Sequence, residues 1–473
     1  MKIMFVIFFI LACGILFGQS NFTSVDSLIS KGKFSEAKQF ISEKLNSNEV
    51  SVSDKIELNF KSELINRILL DFNKNEDEVK SYIKKYIPDF TESDFERWKA
   101  EKQIEFKNID GTDRYFHSAA RNFFRLNPQA REIFAEKNEL SKDGLNIFLE
   151  NYIPKVLGEI KSNDSRTTKA KKIKLNYTIT VPANTIPAGE VIRCWMPFPK
   201  LLANRQFDIE LKNINSGNYI ISENNTSHCS VYLEKISEKD QETVFNYELS
   251  FSAVDIKYDL QTTVIKNYQT DSELYKKFTS EEYPHIVFTD RIKSISQQII
   301  SSEKDPVKKA RKIYKWINDN IPWASAREYS TISNISDYCL VNRHGDCGIQ
   351  SLLFITLCRY NGIPAKWQSG WMLHPGEVNL HDWAEIYFEG IGWIPADQSF
   401  GLQDLINEKE KWFFFGGLDA YHLIVNDDIS KFFFPAKIYP RSETVDFQRG
   451  ELEWRGGNLY FDKWDYHMEV EYE

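Results

Sequence analysis

The chain is 473 residues long, 42% hydrophobic and 14% aromatic, with a formal net charge of −9. That length exceeds the roughly 250–300 residues one hydrophobic core serves, so several domains are expected. The modest negative charge argues against nucleic acid or another polyanion as a partner.

At the N-terminus, Lys2 precedes an apolar stretch from Ile3 to Phe17 that ends in Gly18, Gln19, Ser20 and Asn21. The stretch is shorter than the roughly 18 residues a spanning helix needs, so residues 1–20 read as a signal peptide cleaved near Gly18 or Ser20. Ile10-Leu11-Ala12-Cys13 loosely matches a lipobox, but Gly14 to Phe17 continues apolar where a lipoprotein turns polar. Export to the periplasm or the exterior therefore ranks above a lipid anchor, and no later segment is apolar enough for a transmembrane span. Removing the leader leaves Cys194, Cys229, Cys339, Cys347 and Cys358, an odd number, so at least one thiol stays free in an oxidising compartment. Cys194 and Cys229 share a strand-rich region and could pair.

Residues 21–165 form a helical N-terminal domain, because Phe34, Ala37, Phe40, Ile41 and Leu45 recur at helical spacing. Lys31 to Ala37 looks like the turn of a tetratricopeptide hairpin, with no second copy at a fixed period. The polar run Lys161 to Lys172 reads as a linker. Over 172–266 the pattern changes to alternation, in Leu175, Tyr177, Ile179 and Val181 and again in Val244 to Val254, which predicts a β-sandwich. A further domain over 270–427 begins with helices: Asp305 caps, Pro306 takes the first turn, and Ala310, Ile313, Tyr314 and Ile317 form an apolar face. Residues 428–473 read as a β-rich C-terminal extension.

The chemistry lies between His344 and Gly401. Gly345-Asp346-Cys347-Gly348 opens a largely apolar helix stopped by Asn361-Gly362-Ile363-Pro364. Cys347 then sits at a helix N-terminus, where free N–H groups favour thiolate over thiol and could stabilise an oxyanion. A strand from His381 to Phe388 and a second from Trp393 to Asp397 form a hairpin across Glu389 to Gly392, which sets Asp397 beside His381. Cysteine, histidine and carboxylate in that relation make a nucleophile, a base and an orienter. His374 and His344 are expected to lack a matching carboxylate across a strand pair, and Cys358 reads as core. Cys339, His344 and Cys347 lack the paired close spacing of a zinc site. Phosphate-loop and calcium-loop patterns are absent, so neither a cofactor nor a metal is expected.

Gly345-Asp346-Cys347-Gly348, Asn361 to Ala365, His381-Asp382-Trp383-Ala384-Glu385-Ile386 and Gly392-Trp393-Ile394-Pro395-Ala396-Asp397 resemble, in order, the blocks of the transglutaminase-like superfamily. Cys194-Trp195-Met196-Pro197-Phe198-Pro199 with Gln206, and Phe415-Gly416-Gly417-Leu418-Asp419, are similar to flanking regions of its bacterial members. The resemblance implies an α+β protein with a papain-like catalytic domain and a Cys347, His381, Asp397 triad. It implies acyl transfer to an amine, or peptidase or amidase action, on a protein, peptide or cell-wall amide; Trp323 or Trp316 could shape the substrate site. The alternative is a non-catalytic binding or scaffold protein that keeps the fold.

Overall fold

The computed structural model describes residues 24–47, 50–138, 144–163, 165–260 and 265–473, so the expected signal peptide lies outside the described residues. The chain divides into two compact units, Met1–Glu139 and Leu140–Glu473. The first is helical, as its periodicity predicts. Its helices include Phe34–Leu45, Val52–Asp71, Glu76–Lys84 and Glu92–Ala100. Asn75 with Glu78 and Thr91 with Asp94 form reciprocal capping boxes that start the last two. Phe34, Ile41, Phe95, Phe116 and Phe123 fill its core. A hairpin, Phe106–Ile109 with Thr112–Tyr115, interrupts the helices. Asp110 and Gly111 supply the positive φ angles, 50° and 83°, that a tight hairpin turn requires.

The second unit begins with helix α1 (Gly144–Ser162). The expected boundary near the polar run after it is displaced, because α1 buries Leu149, Ile153 and Val156 against Phe413 and Phe414 of the second unit. An apolar stripe needs a partner, and here that partner lies more than 250 residues downstream.

Strands β1 (Lys171–Val181), β2 (Val191–Pro197), β3 (Gln206–Ile214), β4 (Tyr219–Ile221), β5 (Ser230–Ile236) and β6 (Thr243–Ala253) follow. Next come helices α2 (Pro306–Asn320) and α3 (Cys347–Tyr360), then β7 (Ala365–His374), β8 (Glu377–Phe388), β9 (Gly392–Ala396) and β10 (His422–Asn426). The chain ends in β11 (Glu451–Trp454), β12 (Gly457–Leu459) and β13 (Asp465–Tyr472). One sheet runs β13-β1-β6-β3 and a second β12-β11-β2-β5-β4. Between them pack Leu175, Tyr177, Met196, Phe245, Leu249, Leu452 and Trp464. The C-terminal segment is therefore part of the sandwich rather than an appendage: β11 covers the edge of β2 and β13 the edge of β1, sparing both edges exposure. Cys194 and Cys229, considered for a disulfide, are both buried free thiols.

The sheet that carries the candidate site runs β9-β8-β7-β10, antiparallel throughout. Helix α3 is buried over most of its length and packs with Ala365, Trp367, Ala384, Ile386 and Ile394 of this sheet. Gly370 lets β10 approach β7, since a Cβ there would collide with the Leu423 carbonyl oxygen.

Candidate active site

Asp346 is the N-cap of α3, its carboxylate accepting from the Ile349 N–H, and Cys347 is the first helical residue. Tyr329 Oη lies 2.8 Å from Asp346 Oδ1 and 3.2 Å from Asp382 Oδ2, a close packing that only Gly348 permits, because a Cβ there would overlap the Tyr329 ring and the Asp382 carboxyl. The Cys347 thiol donates to Asp382 Oδ2 at 3.3 Å. Burial, then Asp382 and Asp346, push that thiol well above its ordinary range. The expected thiolate is thus corrected: a helix N-terminus stabilises an anion by a kcal/mol or so, which a low-dielectric site with two neighbouring carboxyls outweighs. Burial and the adjacent carboxyls also raise Asp382 well above the carboxylate range, and burial lifts Asp346 to about 6.

His381 and Asp397 meet as the hairpin predicts. His381 Nε2 lies 2.6 Å from Asp397 Oδ2, while Asp397 Oδ1 accepts from the Ser399 and Phe400 N–H groups. The last β8–β9 rung pairs Ala384 with Ala396, so the contact is diagonal, one step past the ladder. Burial alone would raise Asp397, but His381 and His422 hold it well below the usual carboxylate range.

Three further groups extend this pair. Asp397 Oδ2 also lies 3.2 Å from His422 Nε2; His422 Nδ1 lies 2.9 Å from Asp419 Oδ1; and Asp419 Oδ2 lies 2.9 Å from His374 Nε2. His374 was expected to lack a carboxylate. Its partner comes from the turn before β10, which pairs with β7 although it lies far along the chain. His344 is buried, and burial lowers it to about 4. The donor atoms of His374, Asp419 and His422, and those of His381, Asp397 and His422, each lie within 4.8 Å of one another, a spacing a metal ion could use. Here both sets are joined directly by hydrogen bonds.

Cys347, His381, Asp382 and Trp323 line one cavity of about 670 Å³, together with Phe400, Phe447 and Arg449. Trp316 instead packs against the core. One wall comes from the C-terminal segment: Gln448 Nε2 donates to the His381 carbonyl at 2.6 Å and to Asp382 Oδ1 at 2.7 Å, and Arg449 pairs with Glu328 at 2.9 Å. Asp382 and Asp419 stand in the motifs without an assigned role, and Tyr329, His422 and Gln448 carry no motif signal. Asp382 carried a signal, since strand alternation turns it away from His381 and toward the side where Ala384 and Ile386 meet α3.

Residues 293–398 match the family model of the transglutaminase-like superfamily. Residues 293–398 are thus a transglutaminase-like domain within a unit that mixes helices and strands. An uncharacterized protein of Haemophilus influenzae is 22% identical over 265 residues, covering 50% of this chain and 70% of that protein. A crystal structure described as a candidate cysteine protease from Cytophaga hutchinsonii is 16% identical, covering 65% of this chain and 92% of that one, with a TM-score of 0.44. The periplasmic domain of TgpA from Pseudomonas aeruginosa is 12% identical over 48% of this chain and 88% of that one, with a TM-score of 0.28.

Proposed function

We propose that the protein is a thiol-dependent enzyme that cleaves or transfers an amide-linked acyl group, with Cys347 as nucleophile, His381 as base and Asp397 as orienter. The observation that supports this most is the His381–Asp397 pair at 2.6 Å, whose His381 borders the same cavity as the helix-start Cys347. In the reaction, Cys347 Sγ gives up its proton to His381 and bonds to the carbonyl carbon. The C–N bond breaks, the proton passes from His381 to the leaving amine, and a thioester remains. Water or a second amine then attacks the thioester, with His381 taking that nucleophile's proton and returning it to sulfur. N–H groups at the start of α3 face the developing oxyanion. The sulfur must first give up its hydrogen bond to Asp382.

The substrate we infer is a protein, peptide or cell-wall amide met outside the cytoplasm, given the leader-like N-terminus. No described helix is long and apolar enough to cross a membrane. One observation favours the rival scaffold reading, namely the bond that ties Cys347 to a carboxyl. Amine or ammonia release from peptides and cell-wall fragments, compared among parent, Cys347→Ala and His381→Ala, decides between them. Release by the parent and by neither variant supports the enzyme; equal release from all three, or none from the parent, supports the scaffold.

A further inference from the structure

Both ring nitrogens of buried His422 face carboxylate oxygens, Nε2 toward Asp397 and Nδ1 toward Asp419. A neutral imidazole carries one N–H and one lone pair, so in either tautomer one nitrogen would point its lone pair at a carboxylate. Only the doubly protonated ring satisfies both contacts. The remaining groups agree with that state. His374 donates through Nε2 to Asp419, and its Nδ1 meets no partner among the described residues, which suits a neutral ring. Asp419 Oδ1 also accepts from the Tyr421 N–H at 3.0 Å, and Asp397 Oδ1 from two N–H groups, so both carboxylates are satisfied as anions.

We propose that His422 is a positioning residue of this site: held as an imidazolium between Asp397 and Asp419, it fixes Asp397 against His381 and offsets the second buried negative charge. This rests on the reading of His381 as the base. Charge counting shows what His422 contributes. With His381 neutral, the set Asp397, His422, Asp419 and His374 carries one net negative charge, enough to stabilise the single imidazolium that forms at His381 during reaction. Without the His422 cation, the two carboxylates of the set would lie uncompensated in a dry interior, and a proton would be drawn into the set and held there. Other charges near His422 do not replace it. The Arg205 guanidinium donates to the backbone carbonyls of Val254, Asp419 and His422 rather than to either carboxylate, and its charge is shared between Asp419 and Asp255. Asp255 meets Tyr152, Thr168 and Lys171 and reaches this region only through the Ala420 N–H. The neighbouring carboxylates, against the opposing effect of burial, raise His422 to about 9, in accord with the geometry.

The test uses the whole chain with ¹⁵N-histidine labelling, His422 being assigned by the signal lost in His422→Gln. The parent should show both His422 ring nitrogens protonated at pH 7.5. Acyl-enzyme formation at Cys347, followed against pH, should show a kcat roughly tenfold lower in His422→Gln, with KM within about twofold. The acid limb of the profile should move to higher pH, and His422→Lys, which restores a cation, should recover part of the loss. Should His422→Gln not fold, Asp419→Asn removes one carboxylate in nearly the same shape and should lower the pH at which His422 loses its proton. A neutral His422 in the parent at pH 7.5, or a His422→Gln profile that superimposes on the parent's, overturns the proposal and leaves the enzyme reading standing. A parent that forms no acyl-enzyme removes the enzyme reading, and the positioning role with it.

Discussion

Asp382 and Asp397 occupy opposite ends of the proton chemistry, and each yields a prediction. Asp382 holds the Cys347 proton and, with Asp346, keeps the thiol in its neutral form. Asp382→Ala, which removes the acceptor of the Cys347 proton, should therefore bring the thiol down and raise Cys347 alkylation by iodoacetamide at pH 7 roughly tenfold. An unchanged rate, measured per cysteine by peptide mass spectrometry, would remove Asp382 as the restraining group. Asp397→Asn keeps the shape of a residue that anchors two N–H groups but disfavours the charge His381 needs opposite it. Turnover should fall by about 10²–10⁴-fold, with the far-ultraviolet spectrum retained; full turnover would take Asp397 out of the mechanism. Much of this scale was legible. Gly345-Asp346-Cys347 announces a capped helix start, and a hairpin brings its ends together, so Cys347, His381 and Asp397 could be placed without coordinates. His422 could not, because β10 reaches β7 by a long-range pairing that no local pattern reports. The thiol state is not legible either, because the helix-end field shows in the local sequence while the Asp382 carboxyl comes to Cys347 from a distant strand.

At the scale of elements, periodicity found the helices and strands but not their partners. The Asp110-Gly111 turn carried a hairpin signal that was lost within a helical stretch. Helix α1 was grouped with the helices before it because its sequence resembles theirs, whereas its stripe is buried against Phe413 and Phe414. A chain beginning at residue 140 keeps α1 against those phenylalanines and serves as the reference. One beginning at residue 166, which strips α1 from those phenylalanines, should melt several degrees lower, since each exposed large apolar side chain costs about 1.5–3 kcal/mol. Equal melting of both truncations would show that α1 adds nothing. The C-terminal strands teach the same lesson. Alternation identifies a strand, yet only the open edges of β1 and β2 explain where β13 and β11 go.

Over the molecule as a whole, the second unit buries several titratable groups, which gives its stability a definite pH dependence. His422 is raised from 6.5 to about 9, so its contribution is complete below pH 6.5 and is lost as pH climbs to 9. Glu443, lifted by burial to about 8, also weakens the fold as pH rises from 4.5 to 8, whereas Lys257, lowered by burial to about 7, acts oppositely above pH 7. Comparison with His422→Gln cancels the last two. Relative to that variant, the parent should lose up to roughly 3 kcal/mol between pH 6.5 and 9, read by denaturant unfolding at each pH. Parallel curves would mean that His422 carries no proton beyond its ordinary range.

The central claim is that Cys347 forms a thioester with its substrate, and trapping that intermediate tests it most directly. The parent is incubated with peptides and cell-wall fragments, quenched in acid to preserve the thioester, digested and mapped by mass spectrometry, with Cys347→Ser and His381→Ala in parallel. The account predicts an added acyl mass on the Cys347 peptide of the parent, absent from Cys347→Ser under the same brief exposure and strongly reduced in His381→Ala, with Cys339 and Cys358 unmodified. An unmodified Cys347 in the parent across all substrates, or an adduct that forms equally in His381→Ala, would contradict it.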